Sequence, residues 1–223
     1  MKTKIVVLIP MKGHSERVPN KNLKLFNGRP LYHWIVLTVL NSPYVKEVVI
    51  NTDSKIIKDD ALINFEKVRV IDRPVSIQGD FVSMNEVINY DLKNSEGEHF
   101  MQTHSTNPLL QTKTINKAIE TYFSNLNQCD SVFAVTKWQT RLYWQDTSPV
   151  NHNPKELLRT QDLPPVFEEN SNFYIFSKKT FFKDKKRIGS KPMMAEVDKL
   201  EAIDIDNPED FIIAELLHKM MNK

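Results

Sequence analysis

The chain has almost none of the residues from which several common functions are built. It contains one cysteine, Cys129, in 223 residues, so no internal disulfide is possible. Its place between a helical pattern and a strand-like run suits a small residue at a helix-to-strand junction. No stretch approaches the roughly 18 apolar residues of a membrane span. The N-terminal apolar run is about six residues long and ends in a charged loop, which is not the pattern of a secretory signal. These features predict a cytoplasmic protein with no membrane partner. There is no internal repeat, no low-complexity tract, no histidine spacing of a metal site and no evident nucleophile–base pair. The P-loop pattern G-x-x-x-x-G-K-[ST] is also missing. The net charge is only +2 and the pI about 8.5. The basic residues are not interleaved with aromatics along one face, so nucleic acid is not an expected partner.

What is present suits one globular domain spanning residues 1–223. Hydrophobic residues make up 40% and charged residues 26%, a balance that supports a sizeable core. Strand-like runs at Ile5–Ile9, Glu47–Asn51, Val68–Ile71, His99–Gln102 and Ser131–Val135 alternate with helical patterns at Leu31–Leu40, Ile56–Phe65, Ser83–Leu92 and Thr112–Phe123. Ser83 reads as an N-cap with Glu86 as its capping-box partner. This β-α-β alternation predicts an α/β fold with a mostly parallel sheet and helices on both faces. Ligands in such sheets bind beyond the carboxyl ends of the strands. The segment from Lys137 to Pro165 breaks the pattern. It holds Trp138, Tyr143 and Trp144, then Pro- and Asn-rich sequence; it is too apolar for a linker and too irregular for a strand.

Three stretches carry chemistry. The first, Met11 to Pro30, follows the first strand and holds five Lys/Arg against one acid, a local charge of +4. A basic Gly/Ser-containing loop after a strand can converge backbone N–H groups and lysines on a polyphosphate. The second is Ile203-Asp204-Ile205-Asp206. If extended, it puts both carboxylates on one face, a hard-oxygen donor pair suited to Mg²⁺ near a triphosphate. After it, Asn207 starts the last helix with Pro208 at its first position, and Glu209 and Asp210 suit its positive end. The third is Arg159-Thr160-Gln161-Asp162-Leu163-Pro164, continuing through Glu168-Glu169-Asn170 to Tyr174.

Taken in order, these stretches resemble the CMP-sialic acid synthetase (acylneuraminate cytidylyltransferase) family. Ile9, Pro10, Gly13, Ser15, Pro19, Lys21 and Asn22 match its N-terminal signature; Lys12, His14 and Glu16 depart from it. Gln161, Asp162, Leu163, Pro164, Asn170 and Tyr174 match the second run, and Asp204 with Asp206 match the Ile-Asp-Ile-Asp metal motif. The resemblance implies a three-layer Rossmann-like nucleotidyltransferase fold in which 137–165 protrudes as a dimerisation and substrate segment of a homodimer. It implies transfer of CMP from CTP to the anomeric hydroxyl of a sialic acid-like, nine-carbon acidic sugar, with release of pyrophosphate, in surface glycan biosynthesis. Lys12, Gly13, Ser15, Lys21, Asn22, Arg73 and Ser83 would bind the nucleotide. Gln102, Lys137, Arg159 and Tyr174 would bind the sugar, with Arg159 the candidate for its carboxylate. Asp204 and Asp206 would hold the divalent cation, and Lys12 and Lys21 would act in catalysis with them.

Read without the resemblance, Arg159 and Lys137 serve equally as surface or interface ion pairs. Asp53, after the second strand, could contact nucleotide or metal, or cap the helix from Ser54. His104 and Asn107 alter the turn after Gln102 and bear on which sugar is used. No general base is evident: either the metal acidifies the hydroxyl or a phosphate oxygen takes the proton. An octulosonate cytidylyltransferase or another sugar nucleotidyltransferase, and a nucleotide-binding protein without catalysis, are the alternatives.

Overall fold

A computed structural model describes residues 4–221. Its centre is a seven-stranded sheet in the order β5-β4-β1-β6-β8-β7-β9. The strands are β1 (Ile5–Pro10), β4 (Val45–Thr52), β5 (Val68–Asp72), β6 (His99–Thr103), β7 (Ser131–Trp138), β8 (Val166–Ser177) and β9 (Pro192–Glu196). A two-stranded ribbon, β2 (Leu25–Phe26) and β3 (Arg29–Pro30), stands apart. The helices are α1 (Leu31–Leu40), α2 (Lys55–Asn64), α3 (Met84–Lys93), α4 (Thr112–Ser124), α5 (Lys178–Asp184) and α6 (Pro208–Met221).

Strand β1 is buried along its whole length, as a strand covered on both faces must be. Its alternate residues enter different cores. Ile5, Val7 and Ile9 pack with α1, α2 and α4 through Tyr32, Ile35, Ile57, Ala61, Ile115 and Ile119. Val6 and Leu8 pack with α3 and α5 through Ile88, Leu92 and Phe181. A third cluster, Val18, Phe26, Leu31, Leu109, Ile205, Phe211 and Ala214, joins the basic loop, the ribbon, α6 and the segment that carries the two aspartates.

The expected α/β sheet is present, with parallel pairing of β1 with β4 and β6, of β4 with β5, and of β7 with β9. Strand β8 is the exception: it runs antiparallel between β6 and β7. Neither β8 nor β9 stands out in the sequence as a strand. The first half of β8, Val-Phe-Glu-Glu-Asn-Ser-Asn, is polar, and Ser171 sits in the left-handed region at φ 60°, so the alternation of a half-buried strand is broken there. The reversal decides where the site forms. Because β8 is antiparallel, its opening residues Glu168–Asn172 lie at the rim where β1, β4 and β6 end.

Helix starts follow the chemistry of their first residues. Ser83 caps α3 by accepting a hydrogen bond from Asn85 N–H at 3.2 Å. Ser54 caps α2 by accepting from Ile57 N–H at 3.3 Å, so Asp53 is not that helix's cap. Pro208 is the first residue of α6, and Asp210 accepts from the N–H groups of Asp206 and Asn207 at 3.0 and 2.7 Å. Among the described residues no helix is long and apolar enough to cross a membrane.

Candidate active site

The basic loop closes one wall of a cavity of about 410 Å³ at the carboxyl rim, within the size of ordinary small-ligand pockets. Lys12, Ser15, Arg17, Lys21 and Asn22 line it from the loop. Arg73, Asp80, Val82 and Met84 close it from the far side of the sheet, and His104, Ser105 and Thr106 from the end of β6. The loop is held in place by its own polar side chains. Asn22 donates to the Lys12 carbonyl at 2.9 Å and accepts from the Ser105 hydroxyl at 2.8 Å. Gly13 N–H donates to Asp53 Oδ1 at 2.7 Å, and a Cβ on Gly13 would lie 2.7 Å from Ser54 Cβ. That glycine is therefore required by a close approach, and its N–H is spent on Asp53. Gly13 itself is not among the residues that line the cavity; Lys12 and His14 on either side of it are.

Lysines and arginines here are already engaged. Lys12 is ion-paired with Asp80 across the cavity. Lys21 Nζ donates to the Ile205 carbonyl at 2.6 Å and stands 3.8 Å from Asp206 Oδ1. Burial lowers the Lys21 pKa, and Asp206 and Asp204 oppose that shift. Arg17 Nη2 donates to Asp206 Oδ1 at 2.7 Å. Arg73 is buried. Its Nε donates to Asn51 Oδ1 at 2.6 Å and its Nη2 to the carbonyls of Asn51 and Met11. It holds the ends of β1 and β4 together as well as facing the cavity. Ser83 is not among the lining residues; its neighbours Val82 and Met84 are, and its hydroxyl is used as the helix cap.

The two aspartates line a second cleft, and Asp206 is tied to the first cavity by its ion pairs with Arg17 and Lys21. Residues Ile203–Asp206 form no ladder, so the expected extended geometry is not that of a sheet strand. The Ile205 N–H donates to the Thr106 carbonyl at 3.0 Å, and the Ile205 side chain is fully buried. That anchor turns Asp204 and Asp206 outward together, as the alternation requires. Desolvation raises the Asp204 pKa, a Thr106 hydrogen bond opposes it, and the neighbouring Asp206 charge adds to the rise. A carboxylate partly desolvated beside a second carboxylate is a place where a divalent cation would relieve charge. The second cleft, about 440 Å³, is lined by Thr136, Trp138, Glu168, Glu169, Asn170 and Ser171 together with Asp204 and Asp206.

Of the residues expected at the sugar, Gln102 and Tyr174 lie together. Both are buried. The Tyr174 hydroxyl bonds Ser171 Oγ at 3.1 Å and donates to Glu169. Gln102 Oε1 accepts from Arg187 Nη1 at 2.6 Å. Lys137 and Arg159 are not brought to them. Lys137 lies in β7 between Thr136 and Trp138, both of which face the cleft, so alternation turns it away. Arg159 is exposed and paired with Asp162 at 2.7 Å, away from either cavity's lining. His104, by contrast, lines the basic cavity. Loss of hydration, with Arg187 and Lys21 nearby, depresses its pKa to about 4, so it is neutral at physiological pH.

A family model described as "Cytidylyltransferase" matches residues 6–222. The chain belongs to the cytidylyltransferase family. Among curated cytidylyltransferases it is 29% identical over 219 residues to N-acylneuraminate cytidylyltransferase A of Danio rerio, covering 95% of this chain and 50% of that one. The chain thus spans about half the length of that relative. It is 25% identical to the pseudaminic acid cytidylyltransferase of Campylobacter jejuni and 26% identical to the CMP-N,N'-diacetyllegionaminic acid synthase of Legionella pneumophila, each alignment covering 97% of both chains. The fold is shared with a CMP:2-keto-3-deoxy-manno-octonic acid synthetase solved with CTP, at a TM-score of 0.70 and 12% identity over 98% of this chain and all of that one. It is shared equally with 4-diphosphocytidyl-2C-methyl-D-erythritol synthase of Anaerococcus prevotii, at 0.70 and 15% identity over 97% and 96%.

Sequence reasoning missed Arg17, Asp80, Glu169 and Arg187. Arg17 was within reach, since it lies in the basic loop. Arg187 sits in a run of charged residues, Lys183 to Arg187, where nothing local separates a half-buried arginine packed on a ring from its exposed lysine neighbours.

Proposed function

We propose that this cytidylyltransferase transfers CMP from CTP to the anomeric hydroxyl of a nonulosonate-type acidic sugar and releases pyrophosphate. One observation carries the reading: Asp204 and Asp206 line the Glu168–Ser171 cleft, and Asp206 is ion-paired with Arg17 and Lys21, which line the basic cavity. A triphosphate in the basic cavity and a sugar in the cleft would meet at these carboxylates. Lys12, Ser15 and Lys21 supply positive charge and a hydroxyl for the phosphates; Asp80 would release Lys12 as the phosphates arrive. Catalysis is then mainly positioning and charge neutralisation.

Asp204 and Asp206 are all-oxygen donors and fit Mg²⁺ better than a softer metal. Bound there, the ion would neutralise charge on the phosphates and the departing pyrophosphate. Arg17 shares Asp206 Oδ1 and holds that carboxylate in place. The neutral His104 stands beside this pair without adding positive charge. We place the enzyme in the cytoplasm as a homodimer, with the exposed Tyr143, Trp144 and Leu157 of segment 137–165 as the contact.

The test is pyrophosphate release with CTP, Mg²⁺ and a panel of nonulosonic and octulosonic acids, beside Asp206→Asn. Release should require CTP and one acidic sugar, and fall on the order of 100-fold or more in the variant. Release with the octulosonic acid alone would move the enzyme to that substrate. CTP binding without release from any sugar would leave a nucleotide-binding protein.

A further inference from the structure

Helix α6 is apolar on two faces. Phe211 and Ala214 turn inward and join the core that also holds Ile205. On the other side Ile212, Ile213, Leu216 and Met220 are 61, 51, 56 and 69% exposed. Among the described residues none of these four packs into a core cluster. Their spacing of one, three and four residues keeps them on one continuous stripe. The water-facing side of a surface helix normally carries polar residues, as α4 does with exposed Lys113, Lys117 and Glu120. Helix α2 also exposes Ile56 and Ile63, but Asp59 and Asp60 lie between them on the same side, so no stripe forms there. Beside the α6 stripe a groove of about 970 Å³ opens toward the β2–β3 ribbon, with Trp34, Leu216 and Met220 as its apolar walls. A contiguous exposed patch of this kind marks an interaction surface.

The charges at the two ends of the stripe decide what fits it. Glu209 stands at its N-terminal end and Lys219 at its C-terminal end, and both are exposed. Among the described residues neither has an ion-pair partner. We propose that this face of α6 docks a second copy of the chain, with the two α6 helices antiparallel about a two-fold axis near Ala214. In that register Ile212 of each copy meets Leu216 of the other, because both lie two residues from position 214. Glu209 of each copy meets Lys219 of the other, because both lie five residues from it. The contact is thus self-complementary in shape and in charge, as a two-fold interface must be, and the opposed helix dipoles favour it. A parallel arrangement would set Glu209 against Glu209 and Lys219 against Lys219. The stripe uses no residue of segment 137–165, so it would join two dimers formed through that segment. One helix face is a small interface, and its Kd should be on the order of 100 µM.

Sedimentation equilibrium of the whole chain between about 2 and about 400 µM tests this. The wild type should hold one mass at the low end and approach twice that mass at the high end. Leu216→Glu should move the rise to at least about tenfold higher concentration, with the low-concentration mass unchanged. Glu209→Lys should weaken the rise as well, and Glu209→Lys combined with Lys219→Glu should restore it, because the exchange recreates both ion pairs. In the Trp144→Glu, Leu157→Glu background the rise should run from one copy to two, so the result does not depend on the contact through segment 137–165. If Leu216→Glu does not fold, the charge exchange decides alone. A wild type of constant mass across the range overturns the proposal and gives the face to a different partner. A rise that survives Leu216→Glu, or that the double exchange fails to restore, overturns it too, since apolar aggregation without this register would behave in that way.

Discussion

At the scale of single residues, the candidate site rests on a buried polar chain beneath the basic cavity. Asp91 is fully buried in α3 and accepts from Asn51 Nδ2; Asn51 in turn accepts from Arg73. The second Asp91 oxygen has no partner among the described residues. Desolvation pushes the Asp91 pKa up to about 7, against the pull of Asn51 and Arg73. The sign follows from linkage. The folded state binds a proton that the unfolded carboxyl, near 3.9, has already lost, so the stabilisation is complete below about pH 4 and disappears as the pH rises through 7. Wild-type thermal stability should therefore fall between pH 5 and 8 relative to Asp91→Asn, by a difference on the order of a few kcal/mol. Melting curves of both proteins across that range check it; parallel pH profiles would contradict a raised Asp91. None of this was legible in the sequence. Asp91 reads there as one more polar residue of an amphipathic helix, and only the fold sets it against Asn51 on a different strand.

Elements, rather than residues, decide how the aspartate segment is held between the basic loop and the second cleft. The Ile203–Asp206 segment has no ladder partner on either side, so its position depends on the Ile205 N–H bond to Thr106, the Lys21 bond to the Ile205 carbonyl, the Asp206 N–H bond to Asp210, and on Ile205 in the core formed with Val18, Phe26, Leu31 and Phe211. Ile205→Ala should cost about 2–4 kcal/mol in denaturant unfolding and also depress pyrophosphate release, because both aspartates lose their anchor. Ile203→Ala, at a half-buried position, should do clearly less of both. An Ile205 variant with an unchanged unfolding midpoint would remove the anchor argument. The alternation of Asp204, Ile205 and Asp206 was readable from sequence because period two is a local property. The antiparallel course of β8 was not, since its rim half is polar and bent at Ser171. The residues it delivers to the cleft therefore had no visible destination.

The whole molecule adds the segment from Lys137 to Pro165, which leaves the sheet after β7 and returns at β8. Tyr143, Trp144 and Leu157 are exposed there, a concentration of apolar surface more typical of an interface than of a free monomer. Sedimentation at micromolar concentration should give a dimer for the wild type and a monomer for Trp144→Glu combined with Leu157→Glu, with unchanged circular dichroism. A monomeric wild type would end the homodimer proposal. If Arg159 contributes to a site at all, it does so across such a contact, since within its own chain it is paired with Asp162 and remote from both cavities.

The sequence by itself determined the alternation of strands and helices, the carboxyl rim as the place of the basic loop, and the aspartate pair. Each of these is a short-range property: a hydrophobic period, a local charge, or an i, i+2 spacing whose geometry follows from the backbone. Only the tertiary structure decided that Gly13 is pressed on Ser54, that Arg17 holds Asp206, and that Arg187 rather than Arg159 or Lys137 stands with Gln102 and Tyr174. Those pairings join residues far apart in the chain, and whether an arginine ends in water or against a buried ring depends on which elements pack around it.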